Sequence, residues 1–316
     1  MEKWELIIIG AGPAGLTAGI YGARSGLETL ILEEKIPGGL VAEAPLIENY
    51  PGFPEGITGR DLVKRMVEQC ERFGVKIRDL ERVESLDLSD DLKVVETDQT
   101  KYSADAIIIA SGCHHRTLDV PGEREFRGLG VSYCALCDGA FFKGRRVLVV
   151  GGGNSAALSA IYLSGIASEV FLAHRRERLR AEEIYLRDLR RKGVKILWNT
   201  EVREIRGKGK VEGVLLFNNR SGEFMEMDVD GVFIQVGEVP NSKFAMEAGV
   251  KVDERGYIIV DMLQRTNIDG IYAAGDVTNC PIKQIGTAVG QGIIAATEAY
   301  GYIKRPYYYK ERSHSK

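Results

Sequence analysis

The chain has 316 residues, 44% of them hydrophobic, which is enough for two domains with cores of their own. A net charge of −3 argues against a nucleic-acid surface, and five cysteines with one close pair argue against a secreted disulfide framework. No apolar run nears the roughly 18 residues a membrane helix needs, and a strand beginning at residue 5 leaves no room for a signal peptide, so a soluble cytoplasmic protein is expected.

Glu5 to Ile9 is a short apolar run of the kind a buried parallel strand requires. It enters Gly10-Ala11-Gly12-Pro13-Ala14-Gly15, a G-x-G-x-x-G pattern that opens a helix from Ala14 to Arg24. Gly10 permits the tight turn, Gly12 lets backbone approach a pyrophosphate, and Gly15 lets helix and strand pack closely. The helix N-terminus offers N–H groups and partial positive charge to the phosphates. A second strand, Thr29 to Leu32, ends at Glu33, where an acid can accept hydrogen bonds from ribose hydroxyls. The segment 37–54 reads as loop. Gly59 to Phe73 reads as a helix capped by Thr58, with Cys70 on its apolar face as a small core residue. Short strands with polar turns lead to another buried strand, Ala106 to Ala110, which closes at Ser111-Gly112.

Cys134-Ala135-Leu136-Cys137-Asp138-Gly139 follows. Two cysteines two apart form a dithiol candidate, but the spacing serves zinc as readily as redox chemistry. Cys113 with His114 or His115 would complete a four-ligand zinc set. Placement directly before a nucleotide-binding strand favours redox, and in a reducing cytosol such a disulfide is transient and catalytic.

That strand, Arg146 to Val150, enters Gly151-Gly152-Gly153-Asn154-Ser155-Ala156, an accepted G-x-G-x-x-A form of the same fingerprint. It lies 141 residues after the first (151 minus 10). A helix to about Ser164 and a strand from Glu169 to Ala173 complete the copy, and Asp230 to Gly237 resembles Asp105 to Gly112. The chain therefore holds two nucleotide-binding units of one plan, one inserted into the other. Adding 141 to Glu33 gives His174, followed by Arg175, Arg176 and, one helical turn on, Arg180. Guanidinium groups in place of the acid suit a 2′-phosphate and predict NADPH rather than NADH there. The last third holds a helical start at Phe244 to Ala248, short strands such as Ile258 to Val260, a strand ending in Gly275-Asp276, and a small-residue helix from Thr287 to Ala299. The basic, aromatic tail from Lys304 reads as a polar surface segment rather than a membrane contact.

With these motifs the chain resembles the low-molecular-weight thioredoxin reductases over nearly its whole length. The matching pieces are both fingerprints, Glu48 to Phe53, Cys134 to Gly139, His174-Arg175-Arg176 with Arg180, and Thr266 to Val277. The resemblance implies an α/β fold with two Rossmann-like domains of three-layer ββα type. An FAD domain of residues 1–116 and 243–316 would be discontinuous in sequence, with an NADPH domain of residues 117–242 inserted into it and hinges near Arg116 to Pro121 and Val239 to Asn241. It implies a cytoplasmic homodimer that passes electrons from NADPH through FAD to a dithiol and on to thioredoxin or a similar small redox protein, with rotation of the NADPH domain between two poses. Carried over by position, Cys137 would face the flavin, Cys134 would attack the substrate disulfide, and Asp138 would handle the thiol protons. Asp276 would bind the ribityl chain and Gln284 would lie near the flavin ring. Pro13, Ala14, Gly39, Asn49, Gly112, Gly275 and Lys283 join the first cofactor site. Gly151, Gly153, Asn154, Ser155 and Ala156 join the second. Three positions depart from the family's usual pattern, Leu40 for Gln, Asn154 for Asp and Lys283 for Arg; Lys283 keeps the charge without the planar fork. The Cys113-His114-His115 run is also unusual for the family. A ferredoxin or deazaflavin donor is the rival reading, and the arginine cluster argues against it.

Overall fold

The computed structural model describes residues 1–305 other than 45, 90 and 91. The tail beyond Arg305, expected to be a polar surface segment, lies outside the described residues. The chain divides into two compact units, one of Met1–His114 with the segment from Val239 onward, the other of His115–Glu238.

The first unit begins with β1 (Glu2–Ile9), α1 (Pro13–Arg24) and β2 (Thr29–Leu32). Leu6, Ile7, Ile8 and Ile9 are buried on both faces of the sheet, which is why the run is apolar without alternation. The helix α2 (Gly59–Arg72) starts where expected, with the Thr58 hydroxyl accepting the Asp61 N–H. Then come β3 (Lys76–Arg78), β4 (Val83–Asp87), β5 (Lys93–Thr97), β6 (Lys101–Ile109) and β7 (Cys113–His115). The order β3-β2-β1-β6-β5-β4 places β1 at the middle of a mixed sheet. The strand β6 starts five residues before the expected Ala106. Its first half, with polar Lys101 and Ser103, pairs antiparallel with β5 on one side, while β1 runs parallel along its other side from Tyr102 to Ile109.

The second unit holds β8 (Val131–Ser132), a single turn α3 (Ala135–Asp138), β9 (Arg146–Gly151), α4 (Asn154–Leu163), β10 (Glu169–His174), α5 (Glu183–Arg191) and β11 (Lys195–Trp198). An antiparallel layer of β12 (Thr200–Gly207), β13 (Val211–Asn218) and β14 (Phe224–Asp228) follows, and β15 (Gly231–Gln235) returns to the main sheet. That sheet is parallel, in the order β11-β10-β9-β15-β8. Helix, parallel sheet and antiparallel layer make the three layers expected. One core, containing Leu148, Val150, Val214 and Leu216, fills the space between the two sheets. The other, containing Val147, Val149, Ala160 and Leu163, lies under α4.

The chain leaves the second unit through β16 (Glu238–Pro240), which pairs with β7. The first unit resumes with α6 (Lys243–Glu247), β17 (Ile271–Ala273), parallel to β6, and α7 (Ile285–Lys304). The segment Ile258 to Val260 is not the strand expected. Ile258 makes only isolated bridges, to Val252 and Thr278. The helix α7 begins two residues before the expected Thr287, with Gln284 and Thr287 reciprocally capping its start. Its small residues permit close packing on α1, since a Cβ at Gly292 would lie 2.3 Å from the Ala14 carbonyl oxygen.

Candidate functional site

In the first unit the expected cofactor residues gather at one edge of the sheet. Gly10 follows β1, Glu33 follows β2, Gly112 follows β6, and Gly275 and Asp276 follow β17. These strands run parallel, so all four ends are carboxyl ends, the edge where α/β folds bind ligands. Gly12 is extended and leaves the start of α1 without a side-chain cap; a Cβ there would meet nothing within 4 Å. A Cβ on Gly15 would lie 1.8 Å from the Gly10 carbonyl oxygen, so only glycine allows this turn. The Glu33 carboxylate is held at the turn by accepting the N–H groups of Ala11 (2.7 Å) and Lys35 (3.0 Å).

Around this cradle, Asn49 donates to the Gln284 side chain at 3.3 Å, joining residues 235 apart in sequence. Asp276 is partly buried, and that burial pushes its carboxyl above the ordinary value while Lys283 opposes the shift. The Lys283 ammonium donates to the carbonyls of Asp276 (2.9 Å) and Thr278 (2.6 Å) and stands 4.3 Å from the Tyr257 ring centroid. Gly39 lies in a short exposed turn with a φ of +55°. Two contributors were not legible in the sequence. The Gln291 side chain accepts the Gly275 N–H at 2.7 Å, and the buried Cys113 thiol donates to the Asp276 carbonyl at 2.9 Å. Open space over an uncapped helix start, an acid at ribose position and a partly buried carboxyl beyond β17 fit a dinucleotide such as FAD.

The second unit repeats the arrangement. Gly153 is extended before α4, again with no side-chain cap, and a Cβ there would meet nothing within 4 Å. Ser155 is exposed, and Ala156 is buried under the turn. Arg175, Arg176 and Arg180 are exposed at the carboxyl end of β10. His174 differs from them. Its ring is buried against Gly152, and Nε2 donates to the Arg178 carbonyl at 3.0 Å. Burial holds its pKa below the ordinary value, so the ring supports the loop as a neutral group. Arginines beside a bare helix start suit a 2′-phosphorylated dinucleotide such as NADPH.

The dithiol stands at the same edge of the second sheet, directly after β8. Cys134 and Cys137 are disulfide-bonded, with Cα atoms 5.3 Å apart. The Cys137 N–H lies 3.2 Å from the Cys134 sulfur, a contact that favours the thiolate once the bond is reduced. Asp138 is pushed above the ordinary carboxyl range by burial, with Ser132 opposing the shift through a 2.6 Å hydrogen bond. Among the described residues no group of three or more His, Cys, Asp and Glu is gathered as a metal site. Cys113 instead bonds backbone, and His114 donates to the Asn241 side chain at 2.8 Å.

Known proteins share this arrangement. Residues 4–292 match the pyridine nucleotide-disulphide oxidoreductase family. The chain is 44% identical to thioredoxin reductase of Bacillus subtilis, over 95% of each chain. It is 45% identical to that of Listeria monocytogenes, over 95% of this chain and 94% of the relative. The crystal structure of thioredoxin reductase from Streptococcus pyogenes superposes with a TM-score of 0.91 at 42% identity, covering 96% of this chain and 99% of the other.

Proposed function

The chain belongs to the pyridine nucleotide-disulphide oxidoreductases, and within them to the thioredoxin reductases, and from that premise we propose how its residues divide the work. It is an NADPH-dependent flavoenzyme that reduces the disulfide of thioredoxin. When bound, NADPH would supply a hydride and FAD would hand its two electrons on to the Cys134–Cys137 disulfide.

The first unit, Met1–His114 with the segment from Val239, holds FAD through the glycine turn, Glu33 and Asp276. The second, His115–Glu238, holds NADPH through its fingerprint and the three arginines. Reduction by two electrons and two protons breaks the sulfur–sulfur bond and leaves two thiol groups, and Cys137 would be the one to take the electrons from the flavin. Asp138 gives a proton to, and later removes one from, the cysteine sulfurs. The Cys134 thiolate attacks a sulfur of the substrate disulfide, and the other substrate sulfur leaves as a thiolate that takes up a proton. The Cys137 thiolate then attacks Cys134 in the mixed disulfide, which expels the second substrate thiolate and restores the starting bond. A cytoplasmic homodimer is the setting the family likeness supports. Among the described residues no helix is long and apolar enough to cross a membrane.

The observation that carries this reading is the Cys134–Cys137 disulfide beside a partly buried acid, in a chain with two dinucleotide cradles. The test is Cys137→Ser. With prereduced variant and oxidised thioredoxin, a mixed disulfide through Cys134 should accumulate on non-reducing gels. Catalytic turnover by this variant would refute the assignment.

A further inference from the structure

Three contacts tie the arginine loop to the second fingerprint. The Arg180 N–H donates to the Gly152 carbonyl at 2.7 Å. The His174 ring fills the space over Gly152 and donates to Arg178. Asn154, the first residue of α4, and Glu182, which immediately precedes α5, bond each other twice. The Asn154 amide donates to the Glu182 carboxylate at 2.7 Å, and its carbonyl oxygen accepts the Glu182 N–H at 2.9 Å. An amide fits here because it donates and accepts at once.

We propose that Asn154 and Glu182 are positioning residues that fix the arginine loop against the fingerprint and thereby set the preference for NADPH over NADH. This rests on the second unit being the NADPH site. A 2′-phosphorylated dinucleotide bridges two anchors, with its pyrophosphate at the fingerprint and its 2′-phosphate at Arg175, Arg176 and Arg180. Bridging is tight only when the spacing is set before the ligand arrives, because ordering the loop on binding subtracts from affinity. NADH touches only the first anchor and gains little from the second being held.

The chemistry of the pair gives a discriminating test. Asn154→Asp sets a carboxylate against the Glu182 carboxylate, and like charges drive the loop away from the fingerprint. In the double variant N154D/E182Q the amide and carboxylate change places. The new amide donates to the new carboxylate, which also accepts the N–H of residue 182. Dissociation constants for NADP+ and NAD+ would be measured by calorimetry on the oxidised, FAD-loaded protein. N154D should weaken NADP+ about tenfold, a coupling of the size seen between paired side chains, and NAD+ by less than about threefold. The double variant should return both to within about threefold of the parent. Glu182→Ala, at an exposed position, should weaken NADP+ more than NAD+ and serves if N154D does not fold. Equal losses for the two nucleotides, or no recovery in the double variant, would overturn the proposal. A parent with equal affinity for both nucleotides would overturn the NADPH reading, and the proposal with it.

Discussion

Ser132 donates a 2.6 Å hydrogen bond to Asp138, the acid that follows the second cysteine. Ser132 ends β8, so the sheet itself fixes the group that handles the dithiol's protons. Burial raises the Asp138 pKa and Ser132 lowers it. Removing the hydroxyl in Ser132→Ala should therefore raise the pKa further and move the acid limb of thioredoxin reduction to higher pH. Asp138→Asn should slow that reduction by about a hundredfold or more, the usual worth of a positioned acid–base group. Its NADPH-dependent flavin reduction should stay at the parent rate. Stopped-flow absorbance of each half-reaction separates the two.

The same shift has a stability consequence. The folded carboxyl titrates above its unfolded value, so its favourable contribution is present below about pH 4 and is lost as pH rises through the folded pKa. Above that, a buried charge opposes folding. Asp138→Asn should melt at a higher temperature than the parent at neutral pH. The advantage should shrink as the pH falls through the folded pKa and be gone below about 4. Thermal melts of the oxidised proteins across that range check the sign.

Gly15→Ala attacks the first cradle. The added Cβ falls 1.8 Å from the Gly10 carbonyl oxygen, and that atom is backbone, so the turn must open. A cost of about 1–3 kcal/mol is expected from overpacking of this kind. The purified variant should melt earlier and carry less FAD per chain, read from the ratio of flavin to protein absorbance.

Lys283→Met keeps the side-chain length and removes the charge. Two carbonyls, of Asp276 and Thr278, lose their donor, and Asp276 loses the cation that holds its pKa down. Each hydrogen bond from a charged donor is worth about 1.5–3 kcal/mol. FAD should dissociate faster on dilution, as followed by the rise in free-flavin fluorescence.

Much of this was legible in the sequence because it is local. A both-sides-buried strand must be apolar throughout, a turn with a 1.8 Å approach must be glycine, and a helix N-terminus follows at once, so β1, the turn and α1 are readable together. The 141-residue repeat carried that reading to the second unit. What stayed hidden depends on tertiary pairing. The start of β6, with Lys101 and Ser103, looked polar, yet it is paired by β5 on one side and by β1 on the other. Ile258 to Val260 had strand composition but found single bridges instead of a ladder. Asn49 with Gln284, Ser132 with Asp138 and Asn154 with Glu182 meet through the fold, and no spacing announces them. His174 sat at the right register for a phosphate ligand, yet its ring packs under the loop that the arginines occupy.

The most direct test of the central claim is an anaerobic titration of the purified protein with NADPH and, separately, NADH, followed in the visible spectrum. NADPH should bleach a flavin band at far lower concentration than NADH. Arg175→Ala with Arg176→Ala should narrow the gap by about tenfold or more, since each charged hydrogen bond contributes about 1.5–3 kcal/mol. A flavin band that neither nucleotide bleaches would contradict that claim and move the electron source to a ferredoxin or deazaflavin.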